Sequence, residues 1–127
     1  MQSSEISKQT GLSVSSLRYY ESLGLLEPQY LENGYRDYSQ TDVRWVAFLL
    51  KAKEAGMTLS EIKTYRALQK QGDVTLKKRI KLLDAQMNRL LAASRKIDAQ
   101  RAFFSHKKAD YEKLLKERDP KNDKKTQ

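Results

Sequence analysis

The sequence predicts a mainly α-helical protein that carries one small two-stranded β-hairpin and ends in a long helix made for pairing. Three observations support this fold class. Two short helical segments meet at Gly11, the Asn33-Gly34 pair lies between short extended segments, and apolar residues repeat every seven positions from Leu76 to Leu115. A glycine between helices, an Asn-Gly pair and a heptad repeat are typical of a helix-turn-helix, a hairpin and a coiled coil, respectively.

Composition and length exclude several classes of protein. The 127 residues suit one small domain with an extension. No apolar run is long enough to span a bilayer, and no apolar stretch follows Met1 as a secretory signal would, so we expect a cytoplasmic protein without membrane contact. The chain has no cysteine and one histidine, His106, so we expect no disulfide, no metal site and no cofactor. No Gly-rich phosphate loop or nucleophile with a nearby base is present, and we predict that the protein is not an enzyme.

The formal net charge of +9 favours a nucleic-acid partner, but its distribution is uneven. Residues 1–73 hold nine Lys and Arg and nine Asp and Glu, whereas residues 74–127 hold sixteen basic and seven acidic side chains. Bulk charge therefore does not mark the first half as a nucleic-acid-binding part. A few well-placed cations have to provide the contacts, with a general attraction from the second half.

The first 22 residues predict a helix-turn-helix. Ser3 or Ser4 can cap a short helix over residues 5–10, and Gly11 suits the left-handed position that follows it. Ser13 is the expected N-cap of a second helix from Val14 to Ser22. Helical spacing places Leu17 of this second helix in the core, while Ser15, Arg18 and Tyr19 lie on other faces.

A small β-wing is predicted next. Pro28 keeps the chain after Leu25 and Leu26 out of a helix, and Asn33-Gly34 predicts a hairpin turn in which both residues have positive φ. In the returning strand, alternation places Tyr35 and Asp37 on one side and Arg36 and Tyr38 on the other. A two-stranded hairpin is marginal by itself. We therefore expect it to lean on the helices through Leu25, Leu26 and Tyr38.

Two further helices follow the wing. Ser39 with Asp42 predicts the start of one that runs to about Ala55, and the Thr58–Glu61 capping box starts another that runs to about Gln69. Thr75 is the expected cap of the helix after that.

The last helix carries a 4-3 repeat whose spacing never slips, although the polar residues Ser94, Arg101 and Lys108 interrupt its apolar seam. Forty residues of helix span about 60 Å, and so long an apolar seam cannot be buried on a small head, so we expect it to pair with a second copy of the chain. The sequence does not choose between parallel and antiparallel pairing, although an antiparallel pair suits a two-fold dimer. The predicted dimerisation residues are Leu76, Ile80, Leu83, Met87, Leu90, Ile97, Phe104 and Tyr111. We therefore divide the chain into a head (residues 1–73), a coiled-coil helix (74–115) and a disordered basic tail (116–127).

Six side chains of the second helix and the wing are placed to reach a phosphate backbone, namely Arg18, Tyr19, Tyr20, Tyr35, Arg36 and Tyr38. An isolated surface arginine is usually only solvated, and a tyrosine often packs in a core. The occurrence of both types in a helix and a following wing favours contact with DNA, with at least one tyrosine also packing. The sequence does not decide whether Tyr30 is a further contact of the wing.

These residues carry a family resemblance. The LRYYE core, the GLL that follows it, the NGYRDYS wing and the GMTLSEI turn occur in the order and spacing of the MerR family of bacterial transcription regulators, which the first 70 residues or so closely resemble. The resemblance implies a winged helix-turn-helix head, an antiparallel coiled-coil homodimer, and a pseudo-palindromic promoter site that is bent and untwisted so that RNA polymerase can use it. It also implies that Ser15, Arg18 and Tyr19 lie at the major groove, Tyr20 at flanking phosphates, and Tyr35 and Arg36 at phosphates under the wing.

The chain departs from this family's pattern where members sense a signal. It has no cysteine for metals or thiol-reactive compounds, and nothing after Leu115 resembles a ligand domain. A small-molecule effector is therefore possible but unidentified, and aromatic residues such as Trp45 and Phe104 more often form interface core than an effector pocket. Because residues 1–73 are neutral, a coiled-coil adaptor whose head binds a protein is the alternative hypothesis.

Overall fold

The computed structural model describes residues 1–118 and confirms the predicted mainly helical fold. Helices α1 (Ser3–Thr10) and α2 (Val14–Ser22) come first, followed by the strands β1 (Gln29–Tyr30) and β2 (Arg36–Asp37). Three more helices complete this part of the chain: α3 (Gln40–Glu54), α4 (Leu59–Lys70) and, after a 3-10 turn at Asp73–Thr75, α5 (Leu76–Arg118).

The α1–α2 unit forms as predicted except at its start. Gly11 follows α1 with a φ of 77°, and the Ser13 hydroxyl caps α2 by accepting a hydrogen bond from the Ser16 N–H at 3.1 Å. The prediction that Ser3 or Ser4 caps the first helix is wrong, because α1 begins at Ser3 after Gln2, whose side chain makes no capping bond. The Ser3 hydroxyl instead accepts a hydrogen bond from Arg18.

The wing is an antiparallel pair in which Gln29 lies opposite Asp37 and Tyr30 opposite Arg36. Its turn differs from the prediction, because Gly34 has a φ of +85° while Asn33 does not have a positive φ. The Gly34 N–H donates to the Leu31 carbonyl, and the Asn33 side-chain oxygen accepts from the Tyr35 N–H at 3.1 Å. This is a three-residue hairpin loop with one left-handed glycine.

Helices α3 and α4 both begin with complete capping boxes, as the sequence predicts. The Ser39 hydroxyl accepts from the Asp42 N–H while the Asp42 carboxylate accepts from the Ser39 N–H, and Thr58 and Glu61 repeat the arrangement at α4. These reciprocal bonds satisfy backbone donors that a helix start otherwise leaves open. Both boundaries are therefore fixed by residues no more than three positions apart.

The core of the head lies between these helices and the wing. Its fully buried side chains include Ile6, Leu17, Leu25, Leu49 and Ile62. The buried Trp45 donates a hydrogen bond from Nε1 to the Leu25 carbonyl at 2.6 Å, so it fixes the segment that leads into the wing. Its ring also stacks with Phe48 and Tyr65, at centroid distances of 5.5 and 6.4 Å.

The junction between α4 and α5 is held by Thr75 and Arg79. The buried Thr75 hydroxyl lies 2.6 Å from the Leu68 carbonyl and 2.9 Å from the Gly72 carbonyl, so it binds the end of α4 rather than acting as the predicted cap of α5. Arg79 donates to the Thr75 hydroxyl and to the Gly72 carbonyl. The first turn of α5 is thereby tied to the head.

The start of α5 belongs to the same compact unit as the head, and the predicted division of the chain after residue 73 stays a prediction. One compact unit is Met1–Asp84, and the second begins at Ala85. Helix α5 continues to Arg118, so residues 116–118 of the predicted tail are helical. The rest of that tail lies outside the described residues.

The predicted dimerisation residues are exposed in the single chain. The exposed fraction ranges from 37% for Leu83 to 70% for Phe104, and all eight side chains of the seam fall within this range. Dimer formation therefore stays a prediction, and it is one that the exposed seam favours. Within residues 1–118, no helix combines the length and the apolar character that a membrane crossing requires.

Candidate nucleic-acid interface

Helix α2 presents two kinds of side chain. Leu17 is fully buried and Tyr20 is 7% exposed, whereas Ser15 is exposed and Tyr19 is 54% exposed. The predicted contact residues Ser15 and Tyr19 are thus accessible. Tyr20 acts mainly as a core residue, as was expected of at least one of the tyrosines.

Arg18 is held between three segments of the head. Its Nη1 donates to the Tyr38 hydroxyl at 2.8 Å, and its Nη2 donates to the Ser3 hydroxyl at 2.7 Å. About a third of the side chain (34%) remains exposed. A guanidinium carries five N–H donors, so these two bonds fix its orientation and leave donors for a further acceptor.

Tyr38 does not lie where a direct contact with DNA is possible. Its exposed fraction is 2%, and its hydroxyl accepts the bond from Arg18. The prediction that Tyr38 binds DNA directly therefore needs correction. Its side chain packs in the core, in agreement with the expected packing of the wing on the helices, and its hydroxyl accepts a hydrogen bond from Arg18.

Glu21 joins α2 to the wing. Its carboxylate accepts hydrogen bonds from Arg36 Nε at 2.9 and 3.1 Å and from the Tyr30 hydroxyl at 3.0 Å, and Arg18 Nη1 lies 3.8 Å away. Burial raises the pKa of Glu21, but the bonds from Arg36 and Tyr30 and the charges of both arginines outweigh it, so the pKa lies below its ordinary value. Glu21 is therefore ionised at neutral pH.

The wing brings Tyr35 and Arg36 close to Arg18. Tyr35 is 65% exposed, and the Arg36 guanidinium lies 5.7 Å from the centre of the Tyr30 ring. A cleft of about 380 Å³ separates the wing from the start of α1. It is lined by Gln2, Ser3, Ser4, Arg18, Gly34, Tyr35 and Arg36. The lining offers two arginines and several hydroxyl groups and no carboxylate, a set that suits an oxyanion such as phosphate.

Three further residues that the sequence did not predict support the side chains of α2 and the wing. Glu21 and Ser3 hold the arginines, and Lys53 at the end of α3 places its Nζ 3.2 Å from the Tyr20 hydroxyl and 5.4 Å from the ring centre. Glu21 follows Arg18 by three positions on one helix, which is a recognisable ion-pair spacing. The contacts of Lys53 and Ser3 join residues that are 33 and 15 positions apart, and nothing local in the sequence indicates them.

Two short helices joined by a tight turn, followed by a β-wing that shares a basic cleft with them, define a winged helix-turn-helix. This is a class of nucleic-acid-binding domain. Two family models match the chain: the MerR HTH family regulatory protein over residues 1–69, and the MerR DNA-binding region over residues 43–106. The chain belongs to the MerR family.

Individual relatives agree with this assignment. The chain is 34% identical to the HTH-type transcriptional regulator AdhR of Bacillus subtilis over 92 residues, which cover 72% of this chain and 66% of the relative. It is 39% identical to HmrR of Rhizobium leguminosarum over 69 residues, 54% of each chain. The chain thus spans about two thirds or less of these curated relatives.

Solved structures are similar over more of the chain. A MerR family regulator from Listeria monocytogenes superimposes with a TM-score of 0.77 at 28% identity, covering 91% of this chain and 88% of the other. HiNmlR, a MerR family regulator that lacks the sensor domain and was crystallised with promoter DNA, gives a TM-score of 0.70 at 26% identity, covering 88% and 90%.

Proposed function

We propose that this protein is a transcription regulator that binds a pseudo-palindromic promoter site as a homodimer. The observation that carries the proposal is the basic cleft shared by Arg18, Tyr35 and Arg36, in which the Arg18 side chain is fixed by Tyr38 and Ser3 but keeps donors for a phosphate or a base edge. Its membership of the MerR family and the promoter-bound relative HiNmlR support the same conclusion.

The exposure of each side chain suggests which part of the DNA it would contact. Ser15, Arg18 and Tyr19 meet the major groove, and Tyr35 and Arg36 bind phosphates from the wing. Tyr20 and Tyr38 support these residues from the core, and Tyr20 also places its hydroxyl beside Lys53, a further phosphate-binding candidate.

Pairing along α5 gives two heads on one two-fold site. The exposed seam from Leu76 to Tyr111 is the proposed contact between the two copies, in antiparallel orientation. In the proposed mechanism the bound dimer bends and untwists the promoter, so that RNA polymerase can engage it in the cytoplasm.

The test begins with selection of binding sites from a pool of random duplexes, followed by fluorescence anisotropy on the selected site. We expect a two-fold symmetric site and a steep fall of log K with log salt, because the slope counts neutralised phosphates. The Arg18→Ala variant should weaken binding and leave the dimer intact. Arg44→Ala removes an exposed arginine of α3 outside the cleft and serves as the matched control.

A flat salt dependence together with failure to enrich any sequence would contradict the proposal. That result would favour the alternative in which the neutral head of a coiled-coil adaptor binds a protein.

A further inference from the structure

Glu21 binds both members of one cross-strand pair of the wing. Tyr30 on β1 and Arg36 on β2 are opposite each other in the register, and each donates a hydrogen bond to the Glu21 carboxylate. The side chain of Glu21 is only 17% exposed, so these charge-assisted bonds are partly shielded from water. One residue of α2 therefore fixes both strands of the wing.

We infer that Glu21 is a positioning residue that orients Arg36 toward a DNA phosphate; the inference rests on the proposed function. Glu21 binds the guanidinium through Nε alone. Among residues 1–118, no hydrogen-bond partner is present for the terminal nitrogens Nη1 and Nη2 of Arg36. These two nitrogens form the fork that binds a phosphate with two parallel hydrogen bonds.

The wing needs such an anchor because it is small. Its ladder consists of two residue pairs, and a two-stranded hairpin of this size is not stable alone. An arginine on an unanchored hairpin would have to be ordered when DNA binds, which lowers affinity. Anchoring at Glu21 removes that entropic cost before DNA arrives.

If Glu21 positions Arg36, its removal should change DNA affinity in the opposite direction from that expected if only its negative charge matters. A carboxylate beside a DNA-binding cleft repels phosphates, so its removal should tighten binding if charge alone matters. If Glu21 positions Arg36, removal should weaken binding although the protein becomes more positive. The sign of the change therefore decides between the two.

The experiment compares wild type, Glu21→Ala, Arg36→Ala and the double variant on the selected operator by fluorescence anisotropy at several salt concentrations. Glu32→Ala removes one exposed carboxylate from the wing loop and is the matched control. We expect Glu21→Ala to weaken binding about tenfold and to lower the salt slope by about one unit, as loss of one phosphate contact does. Arg36→Ala should lose the same affinity as Glu21→Ala, and the double variant should bind the operator no more weakly than Arg36→Ala. Glu32→Ala should bind as tightly as wild type or more tightly.

The outcomes separate the inference from the proposed function. Glu21→Ala binding as tightly as wild type, while Arg36→Ala is weaker, would overturn the inference alone. Additive losses in the double variant would also overturn it, because the two residues would then act independently. If wild type shows no salt-dependent binding, the proposed function itself fails. Should Glu21→Ala not fold, Glu21→Met, which keeps a side chain of similar length but offers no oxygen acceptor to Arg36, takes its place with the same expected signs.

Discussion

Arg18 Nη1 donates a hydrogen bond of 2.8 Å to the hydroxyl of Tyr38, a side chain that is 2% exposed. The same guanidinium bonds to Ser3 through Nη2. Arg18 thus connects α2 with the start of α1 and with the residue that follows β2. Arg18, which we propose contacts DNA, therefore also braces the head.

This bond predicts the effect of Tyr38→Phe. The ring continues to fill the core while the acceptor for Arg18 is lost, and one hydrogen bond is worth about 0.5–1.5 kcal/mol. We expect operator affinity to fall roughly three- to tenfold with a small change in Tm, measured by anisotropy and by thermal unfolding. Tyr65→Phe removes a hydroxyl from a partly buried ring away from the cleft and is the control. Wild-type affinity for Tyr38→Phe would mean that DNA binding does not depend on the hydrogen bond between Arg18 and Tyr38.

The sequence predicts those parts of the fold that local contacts determine. The limits of α2 and the capping boxes of α3 and α4 match the prediction, because each depends on side chains within three positions of the backbone groups they bind. The long helix α5 also forms as predicted, since no proline or glycine interrupts residues 76–118, whereas the pairing of its seam stays a prediction.

The features of the site that the sequence did not predict depend on contacts between residues that are far apart in the sequence. Arg18 donates hydrogen bonds to Tyr38 and Ser3, which lie 20 and 15 positions away from it in the sequence. The role of Glu21 in the wing likewise depends on Arg36, 15 positions further along. Even the Asn33-Gly34 turn takes another form than predicted, because the Asn33 side chain binds the Tyr35 N–H and only Gly34 adopts positive φ.

The buried indole of Trp45 predicts a loss of stability in Trp45→Phe. The substitution removes the donor to the Leu25 carbonyl and leaves a buried acceptor without its partner, which costs about 1–3 kcal/mol. Urea unfolding followed by far-UV circular dichroism measures the change, since the variant lacks the only tryptophan of the chain. An unchanged midpoint with an unchanged m-value would show that water or another donor satisfies Leu25.

The left-handed backbone of Gly34 predicts that substitution here strains the wing turn without causing a steric clash. Its φ is +85°, and an added Cβ would meet no atom within 4 Å, so Gly34→Ala suffers only from the left-handed conformation, about 1–2 kcal/mol. We expect a looser wing and severalfold weaker operator binding in an anisotropy titration. Gly34→Asn should be affected less, because asparagine tolerates this region. Equal affinities for all three proteins would indicate that the turn does not direct the wing.

The lowered pKa of Glu21 predicts how the wing responds to acid. A carboxylate whose pKa is lower in the folded state contributes stability that is present above its unfolded pKa and is lost as pH falls through the folded value. The bond to Arg36 should therefore stay constant from pH 8 to 5 and weaken only below the ordinary glutamate pKa of about 4.3. The Arg36 Nε–H resonance reports it by NMR, with Glu21→Gln as the control. A transition near pH 6 would contradict this assignment.

Met87 lies in the centre of the exposed seam, with 64% of its side chain exposed in the single chain. A lysine at this position is harmless to an isolated chain but would be buried in a paired seam, where an unpaired charge costs several kcal/mol. We therefore expect Met87→Lys to convert the dimer to monomers in sedimentation experiments and to leave the thermal unfolding of the head unchanged.

Asn88→Lys adds the same charge one position away from the seam and should remain dimeric. If pairing holds two heads on one operator, Met87→Lys should also lose most of its affinity for the symmetric site while binding a half-site as wild type does. A dimeric Met87→Lys would show that the seam has another register, whereas a monomeric wild type would refute pairing through α5. Because both lysine variants have the same net charge, any difference between them on DNA reports the assembly rather than the electrostatics.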